Sequence, residues 1–293
     1  MPTNRFLLGN KKKAVLLTIL AGFLWGTSFP SIKIGLEYID AYSFVFLRFL
    51  FASLIMLAIA LTTKNFGIKF EKKKLILFLG VINGIAYLLQ YTGMVNVSAS
   101  ASSLFVNLSV VWVALLTPIL LHERLGLKKA LGITASFLGV IFMTTNLDFA
   151  SLTQGAILAN LLVIAAGILW AVFIVYNKPM VSDNRTLIQA ITWLLIFTLL
   201  PLLPIAPFSA ETLVSLPLEA WLAILYTAIF CWILPYHLWL KGLKHISPVT
   251  SAVALLTEIV AAVIIATIAL GEVFTVISGI GAILIIIAII LVS

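Results

Sequence analysis

Charge is what this sequence has least of. Asp, Glu, Lys and Arg make up 10% of the residues against 63% hydrophobic, and the mean hydropathy is +1.22. A water-soluble domain needs a charged surface, and this composition cannot build one. Cysteine is nearly absent. The single Cys231 lies in an apolar run, which excludes a disulfide framework and reads as a small buried hydrophobe. No GxxxxGK(S/T) loop is present, which argues against ATP drive within this chain. There is no HExxH pair, no Cys/His cluster at metal-ligand spacing and no GxSxG nucleophile elbow. No cofactor and no metal are expected. The residue-by-residue alternation of a transmembrane β-barrel is missing too.

What is there is apolar helix. About 20 apolar residues span the hydrocarbon of a bilayer, and by that rule the chain reads as an all-α membrane protein of ten transmembrane helices. They run roughly over 14–35, 42–62, 75–94, 98–121, 128–145, 155–177, 187–206, 218–240, 247–269 and 274–292. The basic start with Arg5 and Lys11–Lys13 resembles a signal peptide. The apolar run that follows is longer than such a segment and lacks a clean small-residue cleavage site, so it reads as the first membrane helix.

The net charge of +8 invites a nucleic-acid reading. The distribution argues against it. All but two of the 18 lysines and arginines fall in the N-terminal tail and in the connections 63–74, 122–129, 178–186 and 241–246, allowing for ragged helix ends. The alternate connections hold Glu37, Asp40, Asp148, Glu211, Glu219 and Glu272 and no base. Positive residues stay inside, so both termini are expected in the cytoplasm, in a plasma membrane or a bacterial or archaeal inner membrane. The remaining two bases, Lys33 and Arg48, lie within predicted helices near the outer face.

The chain also repeats. Ala21–Lys33 matches Ala166–Lys178 in its Ala-Gly, Leu-Trp and final Lys, and Ser98–Ser103 corresponds to Ser247–Ala252. The second offset also takes Tyr87 to Tyr236, Glu123 to Glu272 and Gly132 to Gly281. The units are a tail 1–13, a first five-helix repeat 14–145, an outer linker 146–154 and a second five-helix repeat 155–293. An odd helix count inverts the second repeat against the first, a transporter build with its site near the midplane.

On these features the chain resembles the drug/metabolite transporter superfamily, in its EamA-type branch. The carriers are the duplicated five-helix unit, the AGFLWG opening with Pro30 (Ala21–Gly26), and the HERLG and GEVFT junctions (His122–Gly126, Gly271–Thr275). The resemblance implies a 5+5 inverted fold around a central cavity. It also implies movement of small polar metabolites, often amino acids and often outward, as in bacterial aromatic amino acid exporters. The second repeat departs from the opening motif, with Ala171 where the first has Gly26 and Val175 where it has Pro30.

Glu258 is the residue that most needs an explanation. It lies about eleven residues from either end of the apolar stretch Ser247–Ala269. A charge at mid-membrane costs about 2.5–3.5 kcal/mol on insertion scales. Three readings stand: a proton-coupling site, a counter-charge for a substrate ammonium, or a protonated acid packing one helix to another. His237 titrates near neutrality and suits proton exchange, or it is an interfacial histidine beside Lys241 and Lys244. Asn83, Tyr87 and Gln90/Tyr91 form a polar stripe on the third predicted helix, and Asn107 lies on a similar row of the fourth. Asn83, Tyr87 and Asn107 either line a pathway or bond helix to helix. Trp25 and Trp170 occupy equivalent places, either as an aromatic wall for substrate or as packing. Gly22 and Gly26 form GxxxG, which favours close helix approach. Pro30 is expected to bend the first helix. Pro30, Lys33 and Arg48 are gating candidates, and Lys33 and Arg48 read either as snorkelling bases paired with Glu37 and Asp40 or as groups that gate or attract a substrate carboxylate. Glu123 and Glu272 are expected to cap the helices that follow them.

Three function classes follow. The first is a secondary transporter or passive facilitator of a small polar metabolite, most readily an amino acid, working by alternating access. Its partners are the small-molecule substrate, the lipid bilayer and protons if Glu258 couples them, with no nucleic acid and no assigned oligomeric state. An exchanger of nucleotide sugars, cofactors or drugs is a variant of it. The second is an intramembrane enzyme with Glu258 and His237 as acid and base. The third is a scaffold or receptor, which has no need of a mid-membrane acid.

Overall fold

The computed structural model of the protein describes residues 3–67, 73–94, 96, 99–123, 125–152, 157–181, 187–205, 216–270 and 274–293. It is all-helical, with no strand among the described residues. In hydrocarbon every backbone N–H and C=O must be satisfied within its own segment, and long Leu/Ile/Ala/Phe runs do this as helices. The first half contains α1 (Thr3–Gly26), α2 (Ser28–Leu36), α3 (Ala41–Thr62), α4 (Lys73–Met94), α5 (Ala99–Asn107), α6 (Ser109–Leu121) and α7 (Leu127–Thr145). The second contains α8 (Ile157–Val181), α9 (Leu187–Leu202), α10 (Leu218–Ala228), a π-helical segment Ile229–Ile233, α11 (Leu234–Leu243), α12 (Pro248–Leu255), α13 (Thr257–Leu270) and α14 (Val276–Val292).

Four interruptions break otherwise continuous helices. α1 gives way to α2 at Thr27, whose hydroxyl donates to the Leu24 carbonyl at 2.7 Å. The expected bend near Pro30 therefore falls one turn earlier, because a proline has no amide hydrogen for the carbonyl four residues before it, here Gly26. α5 and α6 meet at Leu108, and α12 and α13 at Leu256. Each joint tightens to three-residue hydrogen bonds, Val111 N–H to Leu108 O at 2.9 Å and Ile259 N–H to Leu256 O at 3.0 Å. The fourth is the π-helical segment, where Leu234 N–H reaches back five residues to Ile229 O.

The caps differ from expectation at one junction. The N-cap of α7 is Gly126, and Glu123 instead lies 3.9 Å from Lys129. Glu272 lies outside the described residues; α14 is capped by Thr275, whose hydroxyl accepts from Ser278 N–H.

The two halves interleave. α4 packs on α8 and α9, and its counterpart, the α10–α11 stretch, packs on α1, α2 and α3. α8 packs on α5 and α6, as α1 packs on α12 and α13, while α3 meets α9 and α7 meets α14. Close approaches repeat the same exchange. A Cβ on Gly22 would lie 2.8 Å from the Leu255 carbonyl oxygen, and one on the equivalent Gly167 would lie 2.8 Å from that of Phe105. Gly93 abuts Ala159 O at 2.7 Å, and its counterpart Gly242 abuts Ala14 O at 2.6 Å. Gly26 faces the Glu258 carbonyl in the same way, so the GxxxG face of α1 does seat a neighbouring backbone.

The outer surface is apolar. Ile157 is 79% exposed and Val276 82%, among many large exposed Leu and Ile side chains, an area that water would not tolerate and lipid would. Seven helices among the described residues are long and apolar enough to cross a membrane. The ten expected stretches exceed this in part because α9 and α14 have only 16 and 17 described residues.

The glycine approaches make a stability prediction. Gly22→Val and Gly242→Val force side chains into backbone carbonyls and are expected to cost about 1–3 kcal/mol each. Gly67→Ala, with nothing within 4 Å, is expected to cost none of this. Thermal unfolding of purified protein in detergent measures all three, and equal midpoints would refute the packing argument.

Candidate functional site

Glu258 occupies the first turn of α13, directly after the interruption at Leu256. Its backbone lies against Gly22 and Gly26 of α1. The side chain is half-buried and keeps some accessible surface. It makes no hydrogen bond or ion pair among the described residues, and the one charge it feels is Arg48. The two lie beyond ion-pair distance, since the Glu123–Lys129 contact is the only pair within 4 Å among the described residues.

Arg48 is 2% exposed and faces the interior of α3. The expected snorkelling pair with Glu37 or Asp40 does not form. Asp40 instead caps α3, accepting from the N–H groups of Tyr42 and Ser43 at 3.0 Å each. Arg48 sits two turns into its helix and turns inward because a donor is needed there. Pro235 has no amide hydrogen to give the Cys231 carbonyl four residues earlier, and its ring pushes that turn open. The π-helical segment is the result, and Arg48 Nη2 donates to the freed Cys231 carbonyl at 2.9 Å. The guanidinium carbon lies 5.6 Å from the ring centre of Tyr87 and 5.7 Å from that of Phe49, within cation–π range. Arg48 Nε is buried with no hydrogen bond among the described residues, although the Tyr91 side chain is a near neighbour of the guanidinium.

Tyr87 is an electrostatic neighbour of both charges. Its ring meets Trp170 edge-on at 4.9 Å, and Trp170 Nε1 donates to Gln90 Oε1 at 3.2 Å. Trp25 meets Trp239 at 6.0 Å. Trp25 and Trp170 thus contact equivalent positions of the opposite half, Trp239 and Gln90. Burial breaks this symmetry. Tyr87, Gln90, Trp25 and Trp170 are half-buried, whereas Tyr236 and Trp239 are each 1% exposed. Tyr236 donates to Asn177 Oδ1 at 2.7 Å, Trp239 Nε1 donates to Ser251 Oγ at 2.6 Å, and Phe173 stacks on Trp239. At the same end Lys178 Nζ donates to the carbonyls of Leu243, Lys244 and Ile246 at 2.8, 3.1 and 2.8 Å, securing the end of α11.

Of the candidate residues, the structure therefore brings Glu258, Arg48 and Tyr87 together, with Trp170 packed on Tyr87 and Trp25 beside Gly26. Asn83 is elsewhere: it is buried against α9 and donates to Thr198 Oγ1 at 3.0 Å. Asn107 is half-buried beside the Leu108 joint, and its amide folds back to Ser103 O at 2.8 Å. His237 is half-buried, with Lys241 one turn on as its charged neighbour. Glu258 and His237 do not share a charged neighbour and do not meet, so the acid–base pair of the enzyme reading is not assembled. The backbone of Pro30 and Lys33 belongs to α2, and their side chains lie outside the described residues. Sequence reasoning missed Thr27 and Tyr226, linked hydroxyl to hydroxyl at 2.9 Å, and missed Cys231 as a backbone acceptor. The signal for Cys231 was Pro235, four residues downstream.

A model of the EamA-like transporter family matches residues 12–145 and 157–293, one copy in each half. An uncharacterized transporter of Archaeoglobus fulgidus is 29% identical over 275 residues, covering 92% of this chain and 94% of the relative. An uncharacterized transporter of Bacillus subtilis is 27% identical over 284 residues, with 94% and 92% covered. A protein of Streptantibioticus cattleyicolor named a probable terminal-alkyne amino-acid exporter is 24% identical over 265 residues, with 89% and 86% covered. One crystal structure superposes with a TM-score of 0.77 at 15% identity over 96% of each chain, a likeness of fold alone. These relatives are named transporters, not enzymes. The chain is a multi-pass integral membrane protein with bacterial and archaeal relatives.

The unequal tyrosines give a matched test. Tyr236→Phe leaves Asn177 Oδ1 buried without its donor, at an expected cost of about 1–3 kcal/mol. Tyr87→Phe removes a hydroxyl with no hydrogen bond and is expected to leave the unfolding temperature unchanged. Equal losses, measured by thermal unfolding in detergent, would contradict the described hydrogen bonding.

Proposed function

This chain belongs to the EamA-like transporter family, and from that premise we propose that it is a secondary transporter of a small polar metabolite, most readily an amino acid. The observation that carries the reading is Glu258, a carboxylate in the first turn of α13 that has no hydrogen-bond or ion-pair partner among the described residues and has a buried guanidinium as its charged neighbour. A protein has little reason to keep such an acid except for a ligand, a proton or both. We take the crossing segments to be ten, adding 14–36, 187–202 and 276–292 to the seven long ones. The loop lysines and arginines place both termini inside. The units are the tail 1–13, the five-helix repeats 14–145 and 155–293 and the outer linker 146–154. The exchanged helix pairings and glycine contacts support an inverted two-fold relation between the repeats, and rocking one against the other would expose the centre to each side alternately.

Substrate contact is assigned to Glu258, Arg48, Tyr87, Trp170 and Trp25, with Asn107 at the joint above them. Arg48 thereby moves from gate to site, while Pro30 and Lys33 remain gate candidates in α2. Asn83 and His237 are left to packing and to the interface. Outward movement rests on the name of the Streptantibioticus relative. Glu258 is the group through which a proton would couple. The test is uptake from a mixed pool of amino acids and other metabolites into proteoliposomes, read by mass spectrometry across pH 5–8, with Glu258→Gln alongside. Accumulation of a few amino acids, lost in the variant, is the expected result. Full activity of Glu258→Gln over that range would refute its role in coupling and in binding. Selective uptake of sugars or nucleotides would replace the substrate class.

A further inference from the structure

We propose that Arg48 and Glu258 form a two-point clamp for a zwitterion, Arg48 Nε receiving a carboxylate and Glu258 an ammonium, so that the site selects solutes carrying both charges. The inference rests on the transport reading above and names how its substrate is recognised.

Three observations carry it. Arg48 is 2% exposed, with Nη2 held by the Cys231 carbonyl and with Nε buried and unpartnered. A buried N–H left empty is costly, and an acceptor is owed to it. Glu258 likewise has no hydrogen bond or ion pair among the described residues and retains accessible surface. The two are near enough to interact electrostatically and too far apart to pair, and Tyr87, whose ring centre lies 5.6 Å from the guanidinium carbon, neighbours both. A gap of that kind is closed by a ligand with a negative and a positive end. Lys178 is no alternative cation, because its three N–H donors are occupied by backbone carbonyls.

Charge balance gives the clamp its selectivity. A zwitterion adds no net charge and leaves each buried group with a partner. A monoamine leaves the guanidinium uncompensated, and a simple carboxylic acid leaves Glu258 so. Both are penalised by the desolvation of the orphaned ion. A multiply anionic solute such as a nucleotide sugar meets one cation and one repelling carboxylate. The half-buried rings of Trp170 and Trp25 provide apolar surface for the part of the solute that carries no charge. Arg48 is held ready by its carbonyl bond and by the rings of Tyr87 and Phe49, so little ordering is needed on binding.

The experiment is ligand binding to detergent-purified protein, followed by thermal shift and tryptophan fluorescence. The twenty amino acids are tested, and for leucine, phenylalanine and every binder, so are the amine lacking the carboxylate and the acid lacking the amine. At least one amino acid is expected to bind, with both truncated forms weakened tenfold or more. Arg48→Gln is expected to remove the preference over the amine, and Glu258→Gln the preference over the acid. The wild-type series decides the matter even where a variant fails to fold. A truncated form that binds as well as its parent overturns the clamp. So does a protein that binds no amino acid while its proteoliposomes take up another metabolite, and in that case transport stands. If no solute binds and none moves, the transport reading falls and the clamp falls with it.

Discussion

A guanidinium and a carboxylate sit in the centre of an apolar helical bundle, near enough to feel each other and too far apart to pair. That separation is the constraint on which the rest of the structure turns. Each ion out of water costs several kcal/mol unless something answers it. For Arg48 the answer is partly internal: a backbone carbonyl and two aromatic faces. For Glu258 no hydrogen-bond or ion-pair partner is present among the described residues, and the side chain keeps some accessible surface. The Gly22–Gly26 face of α1 brings the backbone of α13 against it, which fixes where the carboxylate starts, and the joint at Leu256 puts that carboxylate on the first turn of a new helix.

Hydrocarbon makes the backbone as demanding as the charges. Pro235 leaves the Cys231 carbonyl without its helical donor and opens the turn before it into a π-helical segment. Arg48 meets that acceptor from another helix, so one interaction both repairs a backbone and holds a cation at the site. Lys178 does related work at the end of α11, where three carbonyls converge on one ammonium group. The two cations look alike in sequence, each a single base in a largely apolar stretch. They differ in how much of their hydrogen-bonding capacity the protein uses.

Much of this could be read before any coordinates. An acid in the middle of an apolar stretch announces itself, so Glu258 was legible. The duplicated Leu-Trp and the offset linking Tyr87 to Tyr236 located the aromatic surroundings, since a repeat places equivalent residues in equivalent packing. The expected pairing of Arg48 with Asp40 fails: only eight positions separate them in sequence, but sequence distance says nothing of which way a side chain turns. Its true partner is a backbone oxygen on a distant helix. Asn83 was over-read for a similar reason. A polar stripe must face protein, but spacing alone does not say whether that protein is the cavity or, as here, Thr198 of α9. His237 shares a helix face with Lys241, and that neighbour was the better guide to it.

The repeats are alike in sequence and in pairing, yet their equivalent residues are not equally buried. Tyr236 and Trp239 are closed over, while Tyr87 and Gln90 remain half accessible. Under the transport reading an inverted two-fold relation by itself would make the ends equal, and the unequal burial then places the protein on one side of a two-state balance. The chemistry of the closed end supplies a reason. Tyr236 bonds to Asn177, and the residue equivalent to Asn177 in the first repeat is Ile32, which offers Tyr87 nothing in return. One buried hydrogen bond is worth about 1 kcal/mol net, or roughly fivefold in population. Under the transport reading, that difference biases the empty protein toward the state with the Tyr236 end shut. A ligand shifts the balance only by binding the two states unequally. Arg48 is the element able to do so, because the carbonyl that holds it belongs to the same interrupted helix that carries Tyr236 and Trp239.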